Sequence, residues 1–148
     1  MTNAGAIGFR VVLILAGIFI VFTGINTAFG GMLTLGLQGQ TAFFEVTDKH
    51  SYLVQDSHVR FLGGLWTGIG LLFILASGNV EKYQSVLMFA FALIFLGGLA
   101  RFSQMQMEIT FGKDIVGSLA AELVGIPVLY FWLSRTVKRP QKMFKKEA

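Results

Sequence analysis

Four long apolar runs, separated by short polar stretches, set the pattern of the chain. They cover about Val11 to Phe29, Val59 to Ser77, Tyr83 to Phe102 and Ile115 to Leu133. At about 1.5 Å per residue, a helix of roughly 19 residues reaches about 28 Å, the depth of a bilayer core. The runs therefore predict transmembrane helices. The first is read as an uncleaved span, because the apolar core of a signal peptide is shorter, about 7–15 residues, and leads into a small-residue cleavage site. Asn79, Glu81 and Lys82 form a short polar turn that predicts an antiparallel hairpin of the second and third spans.

The expected fold is an all-α integral membrane protein. A four-transmembrane-helix bundle forms one domain over residues 1–148, with an external loop over 30–58 and a basic tail over 135–148. Within the loop, Phe-Phe-Glu-Val-Thr and Ser-Tyr-Leu-Val-Gln flank Asp48-Lys49-His50. That pattern fits either a small β-hairpin or an interfacial helix, and Phe43, Phe44 and Tyr52 suit the headgroup layer in both.

Composition agrees with burial in lipid. The chain is 54% apolar and 14% charged, whereas soluble domains carry about 25% charged residues. Basic residues gather on one side: Arg10, Lys82, Arg135, Lys138, Arg139, Lys142, Lys145 and Lys146 against Lys49, Arg60, Arg101 and Lys113. Because Lys and Arg stay cytoplasmic, both termini are expected inside.

The absence of cysteine excludes disulfides and thiolate chemistry. There is no nucleophile elbow, phosphate-binding glycine loop or HExxH, so no cofactor is expected, and no nucleic-acid partner. His50 and His58 with Asp48 and Asp56 lack ligand spacing on a regular element, so no metal site is assigned. Met105 and Met107 are read as interfacial packing.

Phe-Leu-Gly-Gly-Leu occurs at 61–65 and again at 95–99, opening the second span and closing the third. Gly63, Gly64, Gly68, Gly97 and Gly98 are read as close-packing positions. Arg60 precedes the first glycine pair and Arg101 follows the second. Glu122 lies about 10 Å into the fourth span, where an ionisable group is expected to face the bundle and find a partner. Arg101 or Arg60 is the expected partner, and Asp56 pairs with Arg60 if its helix starts early. Asn26 offers a hydrogen bond at similar depth, and Pro127 is expected to kink the fourth helix one turn from Glu122.

Two readings of this cluster stand. Arg60, Arg101, Glu122, Asn26 and Asp56 line a pocket for an anionic headgroup held by guanidinium, or the pairs only orient helices.

These residues carry a family resemblance. Asp56-Ser-His-Val-Arg60-Phe-Leu-Gly-Gly-Leu-Trp66-x-Gly68-x-Gly70, then Phe95-Leu-Gly-Gly-Leu-Ala-Arg101 and Ala121-Glu122-Leu-x-x-x-Pro127, resemble small bacterial membrane proteins grouped as domain of unknown function 4345. The resemblance covers about residues 7 to 135. It implies four spans and a bacterial cytoplasmic (inner) membrane, but no reaction.

The first functional expectation is a non-catalytic membrane protein that binds or passes an anionic amphiphile, with membrane lipids as partners. The second is an accessory or scaffold subunit, meeting a membrane protein partner or its own copies through Gly63-Gly64-Gly68 and Gly17 with Gly24. A membrane enzyme using Glu122 as acid or base ranks third. A transporter ranks below it, since no paired broken segments appear at mid-membrane.

Overall fold

A computed structural model of the chain describes residues 3–37 and 45–136. Most of these residues are helical, and none forms a strand. Four helical stretches, Ala4–Thr34, Lys49–Gly78, Gln84–Gln104 and Val116–Arg135, are long and apolar enough to cross a membrane. Two compact units make up the chain: residues 10–79, and the segment ending at Phe9 together with the chain from Val80 onward.

In the unit over residues 10–79, the part of helix α1 (Asn3–Gly30) from Arg10 onward packs antiparallel to α2 (Lys49–Gly78). Glycine sets how closely they approach. A Cβ on Gly17 would lie 2.8 Å from the carbonyl oxygen of Gly70, and one on Gly24 would lie 2.6 Å from the nitrogen of Thr67. One on Gly63 would lie 2.8 Å from Cα of Ala28. The seven-residue steps from Gly17 to Gly24 and from Gly63 to Gly70 keep each pair on one helix face. In lipid, where apolar burial does not drive helices together, such backbone approach supplies the packing energy. Trp66 adds a hydrogen bond, its Nε1 donating to Thr23 Oγ1 at 3.1 Å.

Both helices exceed the apolar runs. α1 starts at Asn3, because Ala4, Ala6, Ile7 and Phe9 continue the helix through an exposed Arg10. α2 starts ten residues before Val59 and has 30 residues, about 45 Å, against a bilayer core of about 30 Å. Asp48 caps it: its Oδ1 accepts from the nitrogens of His50 and Ser51 at 2.9 and 3.3 Å, and Ser51 Oγ donates to its Oδ2 at 2.6 Å. These bonds hold Asp48 below the ordinary carboxylate range, the Ser51 hydroxyl most strongly. The hairpin alternative therefore fails over 49–58, where Ser51 to Gln55 is the first part of α2. The external loop expected over 30–58 is shortened accordingly. Phe43, Phe44 and the basic tail from Lys138 lie outside the described residues.

In the other unit, α3 (Gln84–Ala100) packs against α6 (Ile126–Thr136). A 3₁₀ turn, Arg101–Gln104, continues α3, and α4 (Met107–Thr110) is a single turn of the connection. α5 (Val116–Ala120) leads through a π turn, Ala121–Gly125, directly into α6. Leu87, Phe91, Ile94 and Leu133 are buried, and Phe9 meets Trp132 edge-on with ring centroids 5.5 Å apart.

Candidate functional site

Among the described residues each unit holds one arginine–carboxylate pair. In the unit over residues 10–79, Asp56 is buried and its Oδ2 accepts from Arg60 Nε at 2.5 Å. The four-residue spacing places both on one face of α2. Asp56 Oδ1 also accepts from the backbone nitrogen of Met32 at 2.8 Å. Arg60 Nη1 donates to the carbonyls of Ala28 and Phe29, the latter contact being short. Those carbonyls belong to the last turn of α1, where no intrahelical donor remains. The pair thus closes the end of α1 and fixes the following 3₁₀ turn, Gly31–Leu37, to α2.

Gly31 makes this closure possible. Its φ is +63°, and a Cβ there would run into the Asp56 carboxylate. Only glycine meets both conditions without strain. Asn26 takes part through its backbone, its carbonyl accepting from Thr34 Oγ1 at 2.9 Å.

In the second unit, Arg101 at the end of α3 meets Glu122 in a bidentate pair. Nε donates to Oε2 and Nη2 to Oε1, both at 2.7 Å. The Glu122 side chain is 14% exposed and that of Arg101 38%. Gly98 provides the seat, since a Cβ there would lie 2.9 Å from Cβ of Glu122 and 2.8 Å from Cδ2 of Leu123.

The π turn aims the carboxylate. Pro127 has no N–H for the carbonyl of Leu123, and its ring would crowd that carbonyl in a regular helix. The helix widens ahead of it instead, and Ile126 N–H reaches back five residues to the carbonyl of Ala121. The wider turn rotates Glu122 relative to the α6 residues that follow, compared with a regular helix. Glu122 sits inside this widened turn.

Beside the pair, α3 and α6 enclose an open apolar groove of about 320 Å³, lined by Phe91, Ala92, Phe95, Pro127, Tyr130 and their neighbours. Phe95 and Phe91 lie three and seven residues before Gly98, on the face that meets Glu122. From Phe95 to Arg101 is about 9 Å along α3. The groove thus begins a turn or two from the ion pair, on the same sides of both helices.

Of the residues singled out in the sequence, Asp56 meets Arg60 and Arg101 meets Glu122. Gly63 and Gly98 stand at close backbone or side-chain contacts, whereas a Cβ on Gly64, Gly68 or Gly97 would meet nothing within 4 Å. Sequence reasoning missed Gly31, Gly70 and the groove. The Gly63-to-Gly70 step, matching Gly17-to-Gly24, was the available signal for the α1–α2 crossing. For the groove, the signal was Phe91 and Phe95 in step with Gly98. Among the described residues no cluster of three His, Asp or Glu side chains is placed to hold a metal ion.

A family model described as a domain of unknown function (DUF4345) matches residues 8–133. No curated protein and no solved structure matches the chain.

Proposed function

The chain belongs to the family described as domain of unknown function (DUF4345), and we propose that it is a non-catalytic membrane protein that binds an amphiphile along α3 and α6. One observation carries this reading: a charged pair and an apolar groove share the facing sides of the same two helices. A headgroup near Arg101 and an acyl chain among Phe91, Phe95, Pro127 and Tyr130 match the two ends of an amphiphile. The Asp56–Arg60 pair takes a structural part, since its groups are spent on Met32 and on the carbonyls ending α1.

Native mass spectrometry of protein released from nanodiscs tests the reading. The wild-type chain is expected to retain an amphiphile that Ala92→Trp, which fills the groove, loses. Equal retention by both would refute it.

The charge distribution supports a setting with both termini cytoplasmic, eight basic residues lying on that side against four. The family resemblance favours a bacterial cytoplasmic membrane. A second reading, an accessory or scaffold subunit, draws support from Gly64 and Gly68, which leave room for a Cβ. It requires a stable assembly in nanodiscs, and a monomer at all concentrations would remove it.

A further inference from the structure

Glu122 occupies only one edge of the Arg101 guanidinium. Its two oxygens take Nε and Nη2. A planar guanidinium carries five N–H donors and a second edge, formed by Nη1 and the outer N–H of Nη2. Among the described residues nothing accepts from Arg101 Nη1. The same side chain is 38% exposed, while its carboxylate partner is 14% exposed. Of the two partners, the arginine is thus the more accessible, and its second edge carries the donors that Glu122 leaves over.

We propose that this second edge receives the oxyanion of an acyl-chain ligand, a carboxylate or a phosphate, and that Glu122 weakens the binding it helps to position. The proposal rests on the amphiphile reading above and names the headgroup chemistry at that site. Two parallel N–H groups match two oxygens of one oxyanion. Glu122 fixes the guanidinium plane, so little rotamer freedom remains to be lost when the headgroup arrives. It also brings a negative charge within a few ångströms of the incoming anion, and like charges across a contact oppose binding. Removing that charge while retaining an acceptor should therefore strengthen binding. A ligand held by Glu122 itself would respond in the opposite sense.

The test compares wild type, Ala92→Trp, Arg101→Lys and Glu122→Gln in nanodiscs of zwitterionic lipid. Oleate, phosphatidylglycerol and uncharged monoolein are titrated, with occupancy read by native mass spectrometry. Wild type should prefer the two anions over monoolein by about tenfold. Arg101→Lys keeps a cation for Glu122 but has no second planar edge, so the chain should fold while the preference disappears. Glu122→Gln should tighten oleate or phosphatidylglycerol about tenfold and leave monoolein unchanged.

A free fatty acid source is indicated when oleate alone responds, and a bilayer lipid when phosphatidylglycerol responds too. Either response supports the proposal. Equal binding of monoolein and the anions by wild type overturns it. So does anion binding that Glu122→Gln weakens, or that Arg101→Lys leaves intact. Should Ala92→Trp leave all three ligands bound, the groove reading itself falls, whichever way the headgroup variants behave.

Discussion

Replacing Gly70 by alanine tests the α1–α2 crossing, and replacing Gly64 by alanine on the same helix supplies the contrast. At Gly70 a new Cβ would lie 2.7 Å from the nitrogen of Val21 and 2.8 Å from the carbonyl oxygen of Gly17. Carbon prefers separations of about 3.5–4.0 Å, so α1 and α2 must part by roughly 1 Å. Both atoms are backbone and cannot swing aside, which puts the cost near the upper end of the about 1–3 kcal/mol typical of overpacking. Alanine returns about 1 kcal/mol of helix propensity, leaving a net loss of about 2 kcal/mol.

At Gly64 a Cβ meets nothing within 4 Å, so only the propensity gain remains, between zero and about 1 kcal/mol. Unfolding in mixed micelles, followed by far-ultraviolet circular dichroism, reads both values. A Gly64→Ala loss as large as that of Gly70→Ala would refute the crossing geometry, as would a neutral Gly70→Ala.

Other perturbations probe other parts of the structure. Asp56→Ala removes the acceptor for Met32 N and Arg60 Nε together, so amide exchange should rise at Met32 and over the end of α1 while α3 and α6 stay protected. The Asp48 carboxyl is held below its ordinary range by Ser51 and His50. Its capping is therefore complete above about pH 4 and is lost as the pH falls through the lowered value. Hydrogen exchange over Lys49 to Leu53 should accelerate there, and should lose that pH dependence in Asp48→Asn. Because the chain has no cysteine, Ser57→Cys and Asn79→Cys report sidedness without background. An impermeant thiol reagent should reach them from opposite sides of sealed vesicles, Asn79→Cys from the cytoplasmic side. Labelling of both from one side would contradict the four-span arrangement.

The four helices long and apolar enough to cross a membrane were readable because lipid demands about 20 apolar residues in sequence, and each run meets that demand without tertiary help. Their ends were not. Lys49, His50, Gln55 and Asp56 look like loop residues by polarity, yet they continue α2 once Asp48 caps it. The Arg101–Glu122 pair followed from the rule that a carboxylate inside a span seeks a cation. Its surroundings did not follow, because a π turn lies between Glu122 and the α6 residues that line the groove. The periodicity of a regular helix misplaces every residue after such a turn relative to Glu122. Gly64 and Gly70 make the same point for packing. Composition treats them alike, and only the partner helix distinguishes the glycine that touches backbone from the one that touches nothing.

A crystal structure grown from lipid with a bromine-tagged fatty acid, read by anomalous scattering, addresses the central claim most directly. The bromine peak is expected between Phe95 and Tyr130, with the carboxylate against Nη1 of Arg101 and the Glu122 pair still formed. A groove closed by its own aromatic side chains, with bromine only around the lipid-facing surface, would contradict it.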